Sequence, residues 1–425
     1  MNPNLNMNLH HHPCFDSEAR SIYARIHLPV APHCNVQCKF CNRKYDCANE
    51  HRPGVTTAVL NPGQALMCLT DACRRRPNIS VVGIAGPGDP FADAAETMET
   101  LRLVRTHFPN MLLCVATNGL GLAPHVGELE KLRVSHVTLT INAVDPDIGA
   151  QIYAWVRPDK KPWRGRQGAE SLLNCQREAM RELRKTSILV KINTIVIPGV
   201  NEDHILEVAN TAASWGATIM NCVPLIPAPG SDFEHLAPPN PQKIHALREA
   251  AAEILPQMSH CMQCRADACG IVGDENTEED IVQLRRFSTA PPQASANRPY
   301  VAVATREGWL VNEHLGEAST LTIFEKSDIG WRIVAIRPTP AAGLGVKRWL
   351  DMAELLKDCR AILVSGVGSS PCVVLSKKGL LVLEMEGLIE EGLAAVFNNR
   401  EIPAHLKRRF TSCGAACSGA GQGCA

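Results

Sequence analysis

Residues 31–47 read APHCNVQCKFCNRKYDC, which sets Cys34, Cys38 and Cys41 in the spacing C-x3-C-x2-C directly behind an apolar, β-branched run, SIYARIHLPVA at 21–31. A tight loop of this kind converges three thiolates on one cuboidal [4Fe–4S] cluster. A structural zinc site normally presents paired C-x2-C units, which the three-plus-two spacing does not match. An electron-transfer ferredoxin closes its cluster with four cysteines, whereas three leave one iron open to chelate a substrate and pass it an electron.

Outward from this loop, short apolar runs alternate with amphipathic stretches, the pattern of βα units around a parallel sheet. Six strands are predicted, at 21–31, 79–85, 111–117, 136–141, 188–197 and 217–223. Each is too apolar for an exposed hairpin arm and suits a strand covered on both faces. Helices are predicted between them, as in PGQALMCLTDACRRR, DAAETMETLRLVRTHF, GAESLLNCQREAMRELRK and EDHILEVANTAASWG. Pattern alone leaves an incomplete barrel and an open sheet as alternatives. Past Pro224 the Pro-rich LIPAPGSDFEHLAPPNPQ leads into a helical stretch and then CMQCRADACG at 261–270, where Cys261 and Cys264 stand beside the charged Arg265 and Asp267 as if built for a metal. The expected organisation is an N-terminal arm at 1–20 carrying Cys14, a barrel at 21–235, an extension at 236–287, a Ser/Ala/Pro linker at 288–299, a smaller α/β unit at 300–400 and a flexible Cys-bearing tail at 401–425.

Composition narrows the function further. Lys plus Arg and Asp plus Glu both total 43 of 425 residues, so no basic field draws the chain to nucleic acid. No run of eighteen apolar residues occurs, and the N-terminus is polar, so a cytoplasmic protein without a membrane span is expected. The HHH run at 10–12 reads as part of a polar, disordered arm, with a weak metal site as the alternative. Eighteen cysteines exceed what a reduced enzyme carries as packing, and a chain of this size does not need disulfides. Cys68, Cys73, Cys175, Cys222, Cys359 and Cys372 read as small buried hydrophobes. Cys261 and Cys264, paired as C-x2-C, read as metal ligands, and Cys14, Cys47 and Cys114 stay open at this point.

The triad at the head of a βα series resembles the radical S-adenosylmethionine (SAM) superfamily, which implies a partial (β/α)6 TIM-type barrel. It also implies a [4Fe–4S] cluster whose open iron binds the amino and carboxylate groups of SAM and cleaves it to a 5′-deoxyadenosyl radical. The Gly-rich loop AGPGDP, with Gly86, Pro87, Gly88 and Asp89, resembles the family loop that meets the methionine amino group. Thr117, Asn118, Asn142, Asn193 and Ile226, at or just after the ends of later strands, complete the implied SAM contacts.

A closer resemblance is to the NifB family of nitrogenase iron–molybdenum cofactor biosynthesis proteins. It rests on HPCFDSEAR at 12–20, the stretch 24–55, AGPGDP, ATNG, TINAVDP, KINTIVIPGVNEDH at 191–204, VPLIPAPGS at 223–231 and CMQCRADACG. The resemblance implies two further [4Fe–4S] clusters as substrates, fused around a carbide taken from a SAM methyl group, with an extra sulfur, into an eight-iron precursor. One substrate cluster would be held by His27, Cys47 and Cys114, the other by Cys14, Cys261 and Cys264, with Glu50 as the implied base. His33 and Arg43 flank the triad, where their charge would tune its potential. Residues 298–325 resemble the start of the small NifX-type domain that binds cofactor precursors, with His314 as its cluster contact. Implied partners are iron–sulfur cluster donors, downstream cofactor carriers or scaffolds, and an electron donor such as ferredoxin or flavodoxin. Cys269 and the tail residues Cys413, Cys417 and Cys424 depart from the family pattern. The alternatives are a radical SAM maturase acting on a peptide and a non-catalytic iron–sulfur scaffold or carrier.

Overall fold

β-branched and aliphatic runs flanked by polar turns give six parallel strands: β1 Ala24–His27, β2 Ile79–Ile84, β3 Leu112–Thr117, β4 His136–Thr140, β5 Leu189–Val196 and β6 Ile219–Pro224. They hydrogen-bond in strict chain order, 6-5-4-3-2-1, so each crossover returns beside the strand it left and the sheet curls as a partial barrel. The computed structural model describes residues 11–407 except 160, 259, 262, 275, 289–297, 328–329, 399 and 401. The expected linker therefore lies mainly outside the described residues, and the tail with Cys413, Cys417 and Cys424 wholly outside them. The chain divides into two compact units, residues 1–288 and 289–425.

Alternation along the strands positions the site. Ile26, Val82, Ile84, Leu113, Val115, Val137, Leu139, Val190 and Ile192 pack into one apolar core beneath the helices. Their neighbours Arg25, His27, Val81, Gly83, Cys114, Thr138, Lys191 and Asn193 line a cavity instead. Successive side chains of a strand point to opposite faces, so one face of the sheet is oil and the other carries chemistry. The helices that form the covering layer are α1 Pro62–Arg75, α2 Ala94–His107, α3 Val126–Lys131, α4 Pro146–Ile152, α5 Gly165–Leu183, α6 Ile205–Ser214 and α7 Pro241–Ala252. At the start of α1, Asn61 accepts from the Gln64 amide while Gln64 accepts from the Asn61 amide. That capping box, with Pro62 in the first turn, contributes about 1 kcal/mol to a helix packed against the sheet.

The first strand is shorter than predicted, because residues 19–21 form a single 3₁₀ turn and the chain bends away after His27. Two features were not predicted. Val36–Cys38 pairs antiparallel with Tyr153–Val156 and so ties the cysteine loop to the segment between α4 and α5. The extension after α7 adds β7, Cys269–Gly270, antiparallel on the outer edge of β1. Cys269 thus sits in a strand, paired with Ile26. The extension closes with α8, Glu278–Ser288, whose Asp280 takes hydrogen bonds from Arg75 and Arg76 at the end of α1.

In the second unit, β8 Tyr300–Val303 is flanked by antiparallel β9 Thr320–Ser327 and parallel β11 Cys359–Val364. β10 Gly330–Pro338 and β12 Leu381–Glu384 form the edges of this five-stranded mixed sheet. Helices α9 Val346–Leu355, α10 Ser369–Lys377 and α11 Ile389–Phe397 complete it, and two buried clusters form its core. Of the six cysteines read as packing residues, Cys68, Cys222 and Cys359 are buried and Cys73, Cys175 and Cys372 half-buried.

Candidate functional site

Two cavities open on the inner face of the barrel. The first, about 480 Å³, is lined by Cys34, Cys38, Cys41 and Cys47 on one side and by Gly88, Asp89, Thr117, Asn118, Asn142 and Tyr153 on the other. The loop geometry brings these walls together. Gly88 N donates to Ala31 O at 2.6 Å and Asp89 N to His33 O at 2.6 Å, and a Cβ at Gly88 would overlap the His33 carbonyl. Only glycine allows the Gly-rich loop to lie this close to the cysteine loop. Asp89 accepts from the Phe91 and Asn118 amides and from the Thr117 hydroxyl, so its carboxylate ties the ends of β2 and β3. Asn118 Nδ2 reaches Asn35 Oδ1 at 2.8 Å and Cys34 Sγ at 3.7 Å.

The second cavity, about 660 Å³, is lined by His12, Cys14, Arg25, His27, His51, Cys114, Lys191, Cys261 and Cys264, among others. His27, Gly83 and Cys114 stand side by side in register across β1, β2 and β3. A Cβ at Gly83 would come within 2.9 Å of His27 Cδ2, so the missing side chain is what lets the imidazole lie over β2. His27 Nδ1 lies 3.0 Å from Arg265 O, an acceptor, so Nδ1 carries the hydrogen and Nε2 keeps its lone pair. Burial lowers the His27 pKa to about 3, so the ring is neutral and ligand-ready near pH 7. The Cys261–Cys264 loop is stitched in place by His51, whose ring bridges Cys264 O at 2.9 Å and Ala85 O at 3.0 Å. Arg25 Nη2 donates to Cys264 Sγ at 3.1 Å.

Glu50, Ala85 and Ala116 belong to both cavities, so the two share a wall. Glu50 accepts from Thr140 Oγ1 at 3.1 Å and Asn193 Nδ2 at 3.0 Å, and burial raises its pKa to about 7. A carboxyl tuned to neutrality between two cavities can take up or release a proton.

The residues present fit the groups that the sequence implies. Among the described residues no three His, Cys, Asp or Glu side chains are placed to hold a single metal ion. Cys34, Cys38, Cys41 and Cys47 line one open volume and Cys14, Cys114, Cys261 and Cys264 the other, which is the room a cube needs. Burial pushes Cys34 and Cys114 up to about 12, Cys14 to about 11 and Cys38 and Cys47 above the ordinary thiol range. Near pH 7 these thiols are therefore protonated in the cluster-free chain.

The two cavities divide one of the expected ligand sets. Cys47 faces the triad's cavity, where Asn49 Nδ2 reaches both Cys38 Sγ at 3.8 Å and Cys47 Sγ at 3.6 Å, whereas His27 and Cys114 face the second cavity. The cause is the backbone: Cys47 N bonds Pro87 O, which fixes it against the Gly-rich loop. Cys14, Cys261 and Cys264 come together as one set. Asn142 lines the first cavity, Asn193 the second, and Gly86, Pro87 and Ile226 neither. Arg43 lines the first cavity, its Nη2 donating to Pro32 O. The charges of Arg265 and Asp267 brace the loop rather than face a metal, since Arg265 pairs with Asp267 and Asp267 also accepts from Thr57 N. The described part of the arm packs on the barrel: His12 is 2% exposed and lies against Phe15 and His136, while residues 1–10 fall outside the described residues. His314, in the second unit, accepts the Gly316 amide at Nδ1 and bridges to Gly366.

Sequence reasoning missed His12, Arg25, Asn49, His51, Gly83 and Lys191. The signal for the strand residues was present: Lys191 and Asn193 alternate inside the apolar run ILVKINTIVI, and Arg25 and His27 do so in ARIH. Polar residues at i and i+2 of a buried strand mark a functional inner face.

Comparison with known proteins agrees with this geometry. Residues 28–212 match the Radical SAM superfamily, and residues 297–399 match the family described as dinitrogenase iron-molybdenum cofactor. The chain is 49% identical over 423 residues to the FeMo cofactor biosynthesis protein NifB of Chlorobaculum tepidum, covering 99% of this chain and 100% of that protein. It is 38% identical to NifB of Klebsiella pneumoniae, with 87% of this chain and 86% of that one covered. NifB of Bradyrhizobium diazoefficiens is 37% identical, at 87% and 82% coverage. No helix among the described residues is long and apolar enough to cross a membrane. With a partial barrel, a triad facing a Gly-rich loop and this likeness along nearly its whole length, the chain belongs to the NifB family: it is a radical SAM enzyme of FeMo-cofactor biosynthesis, with a NifX-like C-terminal domain.

Proposed function

We propose that this enzyme fuses two [4Fe–4S] substrate clusters, with a carbide drawn from a SAM methyl group and one additional sulfur, into the eight-iron precursor of the nitrogenase cofactor. The observation that carries the reading is the shared wall: a triad-lined cavity and a second cavity rich in cysteine and histidine meet at Glu50, Ala85 and Ala116. When bound at Cys34, Cys38 and Cys41, the resident [4Fe–4S] cluster supplies the electron that cleaves SAM to a 5′-deoxyadenosyl radical. Gly88, Asp89, Thr117, Asn118 and Asn142 orient SAM in the first cavity. Gly86, Pro87, Asn193 and Ile226 act from outside that cavity's lining. Cys14, Cys261 and Cys264 hold one substrate cluster, and His27 and Cys114 hold the other, with Cys47 reaching it from the triad's side. Ligation by a mixed, incomplete set suits clusters that must fuse and depart.

A methyl group passes from one SAM to a cluster sulfide and leaves S-adenosylhomocysteine. The radical from a second SAM removes one hydrogen atom and becomes 5′-deoxyadenosine, and the remaining hydrogens leave as protons. Glu50, titrating near neutrality at the shared wall, accepts one. The product is handed on through the second unit, where His314 touches it, to cytoplasmic cofactor carriers. Cluster donors load the substrate sites, and a ferredoxin or flavodoxin supplies electrons.

The test is an anaerobic incubation of reconstituted full-length protein with methyl-labelled SAM and dithionite. Both S-adenosylhomocysteine and 5′-deoxyadenosine are expected, with label retained in an acid-labile iron–sulfur product. Formation of 5′-deoxyadenosine alone would contradict carbide insertion, and cluster transfer without SAM cleavage would indicate a scaffold.

A further inference from the structure

The second cavity carries more positive charge than its own residues balance. Lys191 is 6% exposed and its Nζ has one hydrogen-bond partner among the described residues, Met258 Sδ at 3.9 Å. A thioether is a weak acceptor. The nearest aromatic ring is Phe15, with its centroid at 5.6 Å. Arg25, 1% exposed, spends its Nη groups on the carbonyls of Gly270 and Ile271 and on Cys264 Sγ, and its Nε has no partner. Against these two cations the cavity wall sets one carboxylate, Glu50, whose oxygens are already engaged by Thr140 and Asn193.

Burying an ammonium without an opposite charge costs several kcal/mol. A chain keeps such a group where an anion shares the space. An iron–sulfur cube gripped by thiolates is anionic as a whole, and its sulfides accept N–H bonds. A second donor stands on the same wall. His12 Nδ1 accepts the Cys14 amide at 3.1 Å, so the neutral ring carries its hydrogen on Nε2, which is buried and has no partner.

We propose that Lys191 is a substrate-holding residue, its ammonium serving as counter-charge and hydrogen-bond donor to the anionic iron–sulfur cluster held by Cys14, Cys261 and Cys264. The proposal rests on the cluster reading given above. It separates two effects that a packing role would join. Without a cluster the ammonium destabilises the fold, and with one it retains the substrate.

The experiment compares wild type, Lys191→Met and Lys191→Arg as full-length chains. One arm reconstitutes each anaerobically and follows iron release to bathophenanthroline. The other measures melting temperature of the cluster-free proteins. Lys191→Met is expected to release iron about tenfold faster or more, the weight of one hydrogen bond to a charged group. Lys191→Arg restores slow release. Cluster-free Lys191→Met melts above wild type. Release at the wild-type rate, or a melting temperature of cluster-free Lys191→Met equal to or below wild type, overturns the proposal alone. A Cys14→Ser, Cys261→Ser, Cys264→Ser variant that keeps the full wild-type iron content overturns the cluster reading and this proposal with it.

Discussion

One absent methyl group at Gly83 decides whether the His27 imidazole can lie over β2 beside Cys114. Gly83→Ala is expected to leave the circular dichroism spectrum unchanged and to cost about 1–3 kcal/mol by overpacking. It displaces the ring and lowers iron content while SAM cleavage at the triad persists. Full iron retention would show that the His27 position is not a ligand position. Glu50 gives a pH prediction. Burial raises its pKa from 4.5 to about 7, so in the cluster-free protein its contribution to stability is complete below pH 4.5 and is lost as pH rises through 7. Glu50→Gln removes that dependence. Wild type should therefore lose stability relative to Glu50→Gln between pH 5 and pH 8, by about a few kcal/mol at most, read as a falling melting temperature. A difference that stays constant with pH would contradict the tuned carboxyl.

At the level of elements, the extension that carries Cys261 and Cys264 is fixed at its near end by β7 on β1 and at its far end by α8 on α1. Asp280 joins Arg75, Arg76 and Thr277, and its pKa falls to about 2. Burial opposes that fall, but the hydrogen bonds from Arg76 and Arg75 outweigh it. Its stabilisation is present above pH 3.8 and is lost as pH falls toward 2. Asp280→Ala leaves Arg76 without a carboxylate partner and Arg75 with Asp71, and should cost about 1–3 kcal/mol. Denaturant midpoints and limited proteolysis between residues 253 and 288 read this out, and proteolysis at the wild-type rate would rule out the clamp. The six barrel strands were legible in the sequence because runs such as ISVVGIA and MLLCVAT have the β-branched density of a covered sheet. β7 was not, because a two-residue strand has no periodicity, and its pairing comes from Arg25 gripping the carbonyls of Gly270 and Ile271. The Val36–Cys38 ribbon was hidden for the same reason, and its partner lies more than a hundred residues away.

For the whole molecule, the cysteine triad and the Gly-rich loop could be read as one site because loops at strand ends converge at one end of the barrel. A division of the other cysteines came only from the family resemblance and not from spacing, since Cys14, Cys114 and Cys261 are far apart in the chain and meet only once the sheet has curled. Cys47 stands six residues past the triad, and its place among the triad's thiols comes from its bond to Pro87 O rather than from its spacing. Each unit carries its own sheet and buried core. A chain ending at Ser288 should therefore fold, bind iron and cleave SAM, and loss of iron on truncation would show that the second unit completes the site. Iron and acid-labile sulfide, counted with electron paramagnetic resonance, distinguish the two cavities in the intact protein. Reconstituted wild type should hold about twelve irons as three cubes. Cys14→Ser, Cys261→Ser, Cys264→Ser should hold about four fewer and still show a changed spectrum when SAM is added. Cys34→Ser, Cys38→Ser, Cys41→Ser should lose the SAM response and keep the iron of the second cavity. A single iron content shared by all three proteins, or a SAM response that survives loss of the triad, would contradict a barrel whose two joined cavities hold different clusters.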